Sequence, residues 1–325
     1  MRKHILAKST LACAITLALS LPLAARADTK VERFIHFGGV FGVAANDTTT
    51  VSYVQGLKRR EESNTKFTGS VLGALQRFKN GSKGSDSVTI SRVDQNKVYS
   101  LDPKEKTYSV HDMYRPEEQK KDEKGAEKDE DTKIVKNEFE VKDTGKTQKI
   151  NGFDTREYLI TWNLETENVK SHERSKSLMT TELWNASGDK LDKARKEDLA
   201  YAQAYMKLMH LPTNPDELKQ YGFESVTLSG ADAKPFFDKL KTIKGYPITM
   251  DVKWEAFSNG KDEEGKDQDA VKTLSGFLGS SDDAKKDENA DGMTTVFTCH
   301  TEVKSVDTES LPADLFEVPE SYKED

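Results

Sequence analysis

The chain is 325 residues long, with 49 Lys and Arg against 56 Asp and Glu, a formal net charge of −7 and two cysteines. That balance argues against a nucleic-acid partner, which needs cations clustered on one face. Two cysteines, one of them in a leader, leave no pair for an internal disulfide, so the fold must rest on a hydrophobic core.

Arg2, Lys3 and His4 precede a mostly apolar stretch, 11–23, and then Ala25-Arg26-Ala27, the small-x-small form that signal peptidases cut. Residues 1–27 are therefore expected to be a secretory signal peptide. A transmembrane anchor is the weaker reading, because Lys8 and Arg26 leave too few uninterrupted apolar residues to span a bilayer. Thr10-Leu11-Ala12-Cys13 faintly resembles a lipoprotein-processing box, but the apolar run before it is short and holds Lys8, so a soluble periplasmic or secreted protein is expected. Cleavage removes Arg2, Lys3, Lys8 and Arg26 and no acid, taking the net charge from −7 to −11, and leaves Cys299 as the one thiol. A single domain over 28–322 is expected, carrying disordered charged insertions at 115–133 and 258–292.

Residues 31–45 are apolar and Gly-rich, fitting an edge strand or a lead-in segment. From 50 onward Val51, Tyr53 and Leu57 alternate with Ser52 and Lys58, which predicts an opening strand pair over 50–60 and 63–68. Val71, Leu72, Leu75 and Phe78 fall at helical spacing. Residues 88–110 read as a three-stranded meander with turns at 94–97 and 102–105, where Asp, Asn and Pro supply turn chemistry. Pairing Val93 with Val98 and Tyr99 with Tyr108 puts Val88, Ile90, Tyr99, Leu101, Tyr108 and Val110 on one face. Arg92 falls in register with Tyr99 on that same face. It would either snorkel to water at the sheet edge or stand as a cation inside an apolar cavity.

Phe139 and Val141 restart a strand, Asn151-Gly152 makes a turn, and Tyr158, Ile160, Trp162 and Leu164 alternate with polar residues. A strand follows over 174–184. Asp189 is a plausible cap for a helix whose Leu199, Ala202, Met206 and Met209 recur at steps of three and four until Pro212. A further turn of helix is expected at 217–221, and Phe236, Phe237, Leu240 and Ile243 suggest a short helix ended by Gly245. Residues 248–256 alternate strictly, with Ile248, Met250, Val252, Trp254 and Ala256 apolar. In the insertion that follows, Val271, Leu274, Phe277 and Leu278 form a small apolar cluster. The last strand, 293–306, is expected to turn Phe297, Cys299 and Val303 inward, and Leu315, Phe316 and Val318 to anchor the tail. The pattern is α+β, a curved antiparallel sheet of about ten to eleven strands forming an incomplete barrel, with two or three covering helices.

No catalytic signature accompanies this architecture. His36, His111, His172, His210 and His300 are scattered singly, none at the i, i+4 spacing of a helical metal pair, and no nucleophile elbow is present. No cofactor, metal or enzymatic activity is expected. Residues that would line a cavity are Arg92, Tyr99, Leu101, Tyr108, Trp162, Trp254 and Phe297: a cation for an anionic head group, and aromatic and aliphatic surface for an apolar tail.

The order of pieces also carries a resemblance. A signal peptide, Tyr53-Val54-Gln55-Gly56-Leu57-Lys58-Arg59-Arg60-Glu61, the segment from Val98 to Tyr108, Ile150-Asn151-Gly152-Phe153 and Leu315-Phe316-Glu317-Val318-Pro319 together resemble an uncharacterised secreted bacterial domain family related to the LolA/LolB/LppX-like lipoprotein carriers. The resemblance implies an incomplete antiparallel barrel around lid helices, with a concave interior that holds acyl chains. It implies as partner a lipid or lipoprotein acyl chain. A self-filled envelope module that contacts another protein is the alternative.

Overall fold

The computed structural model describes residues 28–40, 44–68, 84–115, 132–210, 238–258 and 293–325. The leader, the helix expected around Val71 to Phe78, the turn at 217–221, Phe236 and Phe237, and the apolar cluster of the second insertion lie outside them.

Among the described residues the chain forms β1 (Thr29–Phe37), β2 (Asn46–Gln55), β3 (Lys58–Phe67), β4 (Ser85–Arg92), β5 (Lys97–Asp102), β6 (Thr107–Asp112), β7 (Thr132–Ile150), β8 (Phe153–Asn168), β9 (Arg174–Ala186), α1 (Asp189–Leu208), β10 (Tyr246–Ser258), β11 (Thr294–Asp307) and β12 (Lys323–Glu324). All twelve strands belong to one sheet in the order β12-β6-β5-β4-β3-β2-β1-β11-β10-β9-β8-β7. Every pairing is antiparallel except β12 with β6, and the curved sheet does not close. The expected α+β class and incomplete barrel are therefore found, with one or two strands more than expected.

Turn chemistry explains the hairpins. β7 and β8 pair Ile150 with Phe153 across Asn151 (φ 48°) and Gly152 (φ 84°), the two left-handed residues that a tight two-residue hairpin demands. β2 and β3 pair Gln55 with Lys58 across Gly56 at φ 60° and Leu57. The opening strands thus turn at Gly56-Leu57 rather than beyond Arg60. The segment around Val31 is no edge: β1 is central, between β2 and β11, and Val31 is only 1% exposed. Thr132 and Lys133 already belong to β7, and Ser258 to β10.

In the meander the strands sit where the alternation placed them, but both registers differ from the expectation by two residues. Ile90 pairs with Tyr99 and Arg92 with Lys97, while Leu101 pairs with Tyr108. Both loops are four residues long and end in a left-handed residue, Asn96 at φ 56° and Lys106 at φ 54°, which takes up the extra chain. A slip of two preserves side-chain parity, so the same residues share a face.

Helix α1 is capped by the Gly188 backbone without a side-chain bond, and Asp189 is its first residue rather than its cap. Its inward stripe is Leu191, Ala194, Glu197 and Tyr201. The stripe based on Leu199 is displaced, and Leu199 itself is 50% exposed. Leu191 and Ala194 pack with Val31, Ala186, Tyr246, Ile248 and Val303, flanked by Ile150, Phe153 and Val306. The β7–β8 tip closes this end, with Asn151 Nδ2 donating to the Val303 carbonyl at 2.8 Å and to Glu302 Oε1 at 2.7 Å.

Candidate ligand-binding face

Side chains directly opposite in adjacent antiparallel strands share a face, so the registers assign each residue to the side covered by α1 or to the other. Following Arg59 to Val54, Thr29 to Val54, Arg33 to Val303 and Val252 to Cys299 traces the helix face from β3 to β10. On β4 this face carries Ser91, Thr89 and Ser87, opposite Arg59, Glu61 and Ser63. The meander's apolar residues therefore point to the opposite side.

That opposite side is covered by the tail. Val88, Ile90 and Leu101 form a second core with Tyr99, Tyr108 and Tyr322. The 3-10 turn Ala313–Phe316 brings Phe316, 0% exposed, against β3 and β4. Arg92 fastens it. The side chain is buried, with Nε and Nη2 donating to the two oxygens of Asp94 at 3.0 and 2.8 Å and Nη1 to Glu317 Oε1 at 2.6 Å. Nη1 also reaches the Phe316 carbonyl at 3.5 Å, and with its amide oxygen turned toward Arg92, Gln95 accepts from Nη2 at 2.7 Å. The hydrogen bond from Arg92 holds the Asp94 carboxyl below its ordinary range, and the same bond raises the guanidinium further. Arg92 thus neither snorkels nor stands free for a ligand, because the chain's own carboxylates engage it. The sequence signal was Asp94 two residues away; Glu317 is distant in the chain.

On the helix face a polar knot fixes α1. Tyr246 accepts from Arg33 Nη2 at 2.5 Å and donates to Asp198 Oδ2 at 3.0 Å. Arg59 lies 3.5 Å from Asp198 with its guanidinium 4.2 Å above the Tyr201 ring. Burial pushes the Tyr246 hydroxyl up to about 12, so it remains a donor to Asp198. The period of the helix does not mark Asp198 or Tyr201, since polar residues on a helix give no apolar period, and Arg33, Arg59 and Tyr246 reach them from strands distant in the chain.

Beyond the knot, the helix face ends in an aromatic row. Phe297 pairs with Trp254, Trp254 with Met179, Met179 with Trp162 and Trp162 with Phe139. Trp254 meets Phe297 edge-on at 5.6 Å, and Phe37 lies 5.9 Å from Phe297. Trp254 is 37% exposed with Nε1 bound to Ser177 Oγ at 2.6 Å, and Trp162 Nε1 donates to Asn137 at 2.8 Å. The strand over 248–256 thus buries Ile248 as expected but leaves Trp254 half open. β10 runs on regularly here against β9, but the register with β11 shifts, with Val296 as the extra residue, and Glu255 and Val296 are buried while Trp254 is not.

The seven sequence-selected residues therefore form two groups. Arg92, Tyr99, Leu101 and Tyr108 lie on the tail face; Trp162, Trp254 and Phe297 lie on the helix face. Pattern within each strand could not show this, because it carries no information about which face a distant strand turns inward.

Among the described residues no helix is long and apolar enough to cross a membrane. No curated protein matches the chain. Residues 74–207, spanning β4 to the last turn of α1, match the model of a family described as Domain of unknown function (DUF4412).

Proposed function

We propose that this chain is an exported, non-enzymatic binding protein that takes an apolar, lipid-like chain, such as the acyl group of a lipid or lipoprotein, on the open end of the helix face. The observation that carries this reading is the row Phe297, Trp254, Met179 and Trp162, continuous across four strands with Trp254 substantially exposed. Aromatic and thioether surface of this kind suits methylene chains, and each 100 Å² of apolar surface covered contributes about 2.5 kcal/mol. The leader and the resemblance to lipoprotein carriers support export and the ligand class.

One observation favours a second reading, an envelope interaction module without a ligand: the meander's apolar face is filled by the chain's own Phe316. Two measurements separate the readings. Organic extraction of the purified protein followed by mass spectrometry should release a lipid, and titration with fatty acid or phospholipid should shift a fluorescence component that Trp254→Phe removes. An empty extract together with silent fluorescence would favour the second reading.

A further inference from the structure

Two histidines far apart in sequence meet at the seam where β1 joins β11. His36 and His300 are directly opposite. Asp47 on β2 is opposite His36, and Asp251 on β10 is opposite His300. Four consecutive strands of the sheet thus line up Asp, His, His and Asp in one row, on the face away from α1 and away from Cys299.

The hydrogen bonds set the chemistry of the two rings. His36 Nδ1 lies 2.6 Å from Asp47 Oδ1 and His300 Nδ1 lies 2.7 Å from Asp251 Oδ1. An ionised carboxylate can only accept, so Nδ1 carries the proton in each ring and a neutral ring keeps its lone pair on Nε2. Each Nδ1 bonds a carboxylate on its flanking strand, which leaves Nε2 as the ring nitrogen available to a ligand. Opposed Cβ atoms are about 4.5 to 5.5 Å apart, and one ion bound by two imidazoles needs Nε2 contacts of about 2.0 to 2.1 Å. Both side chains are accessible, at 46% and 33% exposure.

We propose that His36 and His300 chelate a divalent transition-metal ion of the zinc, copper or nickel class, with Asp47 and Asp251 as positioning residues that hold the rings in the ligating tautomer. Neutral imidazole selects these ions over magnesium or calcium, and carboxylates behind ligating histidines are the usual outer support. Glu302 lies 3.8 Å from His300 Nε2 but is engaged by Lys304 and Asn151. Among the described residues no group of three or more His, Cys, Asp or Glu converges on one ion. The site is thus a two-nitrogen chelate whose remaining positions belong to water, and it does not depend on the lipid-binding reading.

Calorimetric titration of the chelator-stripped full chain with Zn²⁺ tests the assignment, with Mg²⁺ as control. One saturable Zn²⁺ equivalent is expected, weakened at least about tenfold by His36→Ala or His300→Ala and roughly tenfold by Asp47→Asn or Asp251→Asn. Combined His111→Ala, His172→Ala and His210→Ala should leave it unchanged. Imidazole ¹⁵N spectra of the unaltered chain provide a readout independent of the variants' folding: both Nε2 resonances should move together up to one equivalent. Absence of saturable Zn²⁺ binding, binding that survives loss of either His36 or His300, equal binding of Mg²⁺, or unmoved Nε2 resonances would overturn the proposal and leave the row as paired surface charges.

Discussion

The meander β4–β6 and the long strands β8–β11 both carry apolar residues on a single side, yet they bury them against opposite faces of one sheet. The meander closes on the tail through Phe316 and Arg92, with its apolar residues capped by the chain itself. The long strands close on α1 at one end only and leave aromatic surface at the other. Alternation therefore establishes that a strand has a dry side, while the partner that covers it decides which way that side turns.

The sharpest way to break this comparison is to empty the tail side. Phe316→Ala should cost about 3 to 5 kcal/mol, the range for deleting a fully buried aromatic, read as a lowered urea midpoint. A loss below about 1 kcal/mol would make the tail peripheral. Arg92→Met should follow at about 2 kcal/mol. This lies between exposed pairs and fully buried ones, because Asp94 and Glu317 are 31% and 55% exposed. A double-mutant cycle with Asp94→Asn measures the coupling.

The helix side should respond more weakly to loss of its knot. Tyr246→Phe removes the bonds to Arg33 and Asp198 and should destabilise by about 1 kcal/mol, measured in the same denaturation assay. Smaller still is the acid response of the tail clasp. Asp94 is held below its ordinary value of 3.8 by Arg92, so its contribution is whole above that value and is lost as pH falls through the lowered folded value. Asp94→Asn should remove that part of the acid slope, visible in melts between about pH 2 and 5. The smallest stability change is expected for Trp254→Ala, under about 1 kcal/mol because the side chain is half open, although it should remove the Trp254 component of the fluorescence response to lipid. A large loss of stability would mean that the aromatic row is core rather than contact surface.

Much of this arrangement was legible in the residues. Asn151-Gly152 announced its hairpin, the meander strands, β8, β10 and β11 were readable from period two, β9 showed as a strand whose buried face the pattern did not reveal, and Phe316 was recognisable as an anchor. Gly56-Leu57 passed unread because the alternation runs smoothly through it, and the inward stripe of α1 was displaced because Glu197 and Tyr201 replace aliphatic residues there. The buried state of Arg92 and the meeting of His36 with His300 depend on registers between strands distant in the chain, for which local pattern holds no signal.

The outer edge formed by β7 has a consequence for self-association. Among the described residues β7 is a nineteen-residue strand at the end of the sheet, a position that ordinarily invites a second chain to add on. β7 carries Lys133, Lys136, Lys142, Lys146 and Lys149, and its register shifts at Ile134/Lys136 and Asp143/Thr147. Irregular spacing denies an incoming strand a continuous ladder, and lysines along an edge are a recurrent guard against such pairing. The sheet can thus remain open without becoming a template for aggregation.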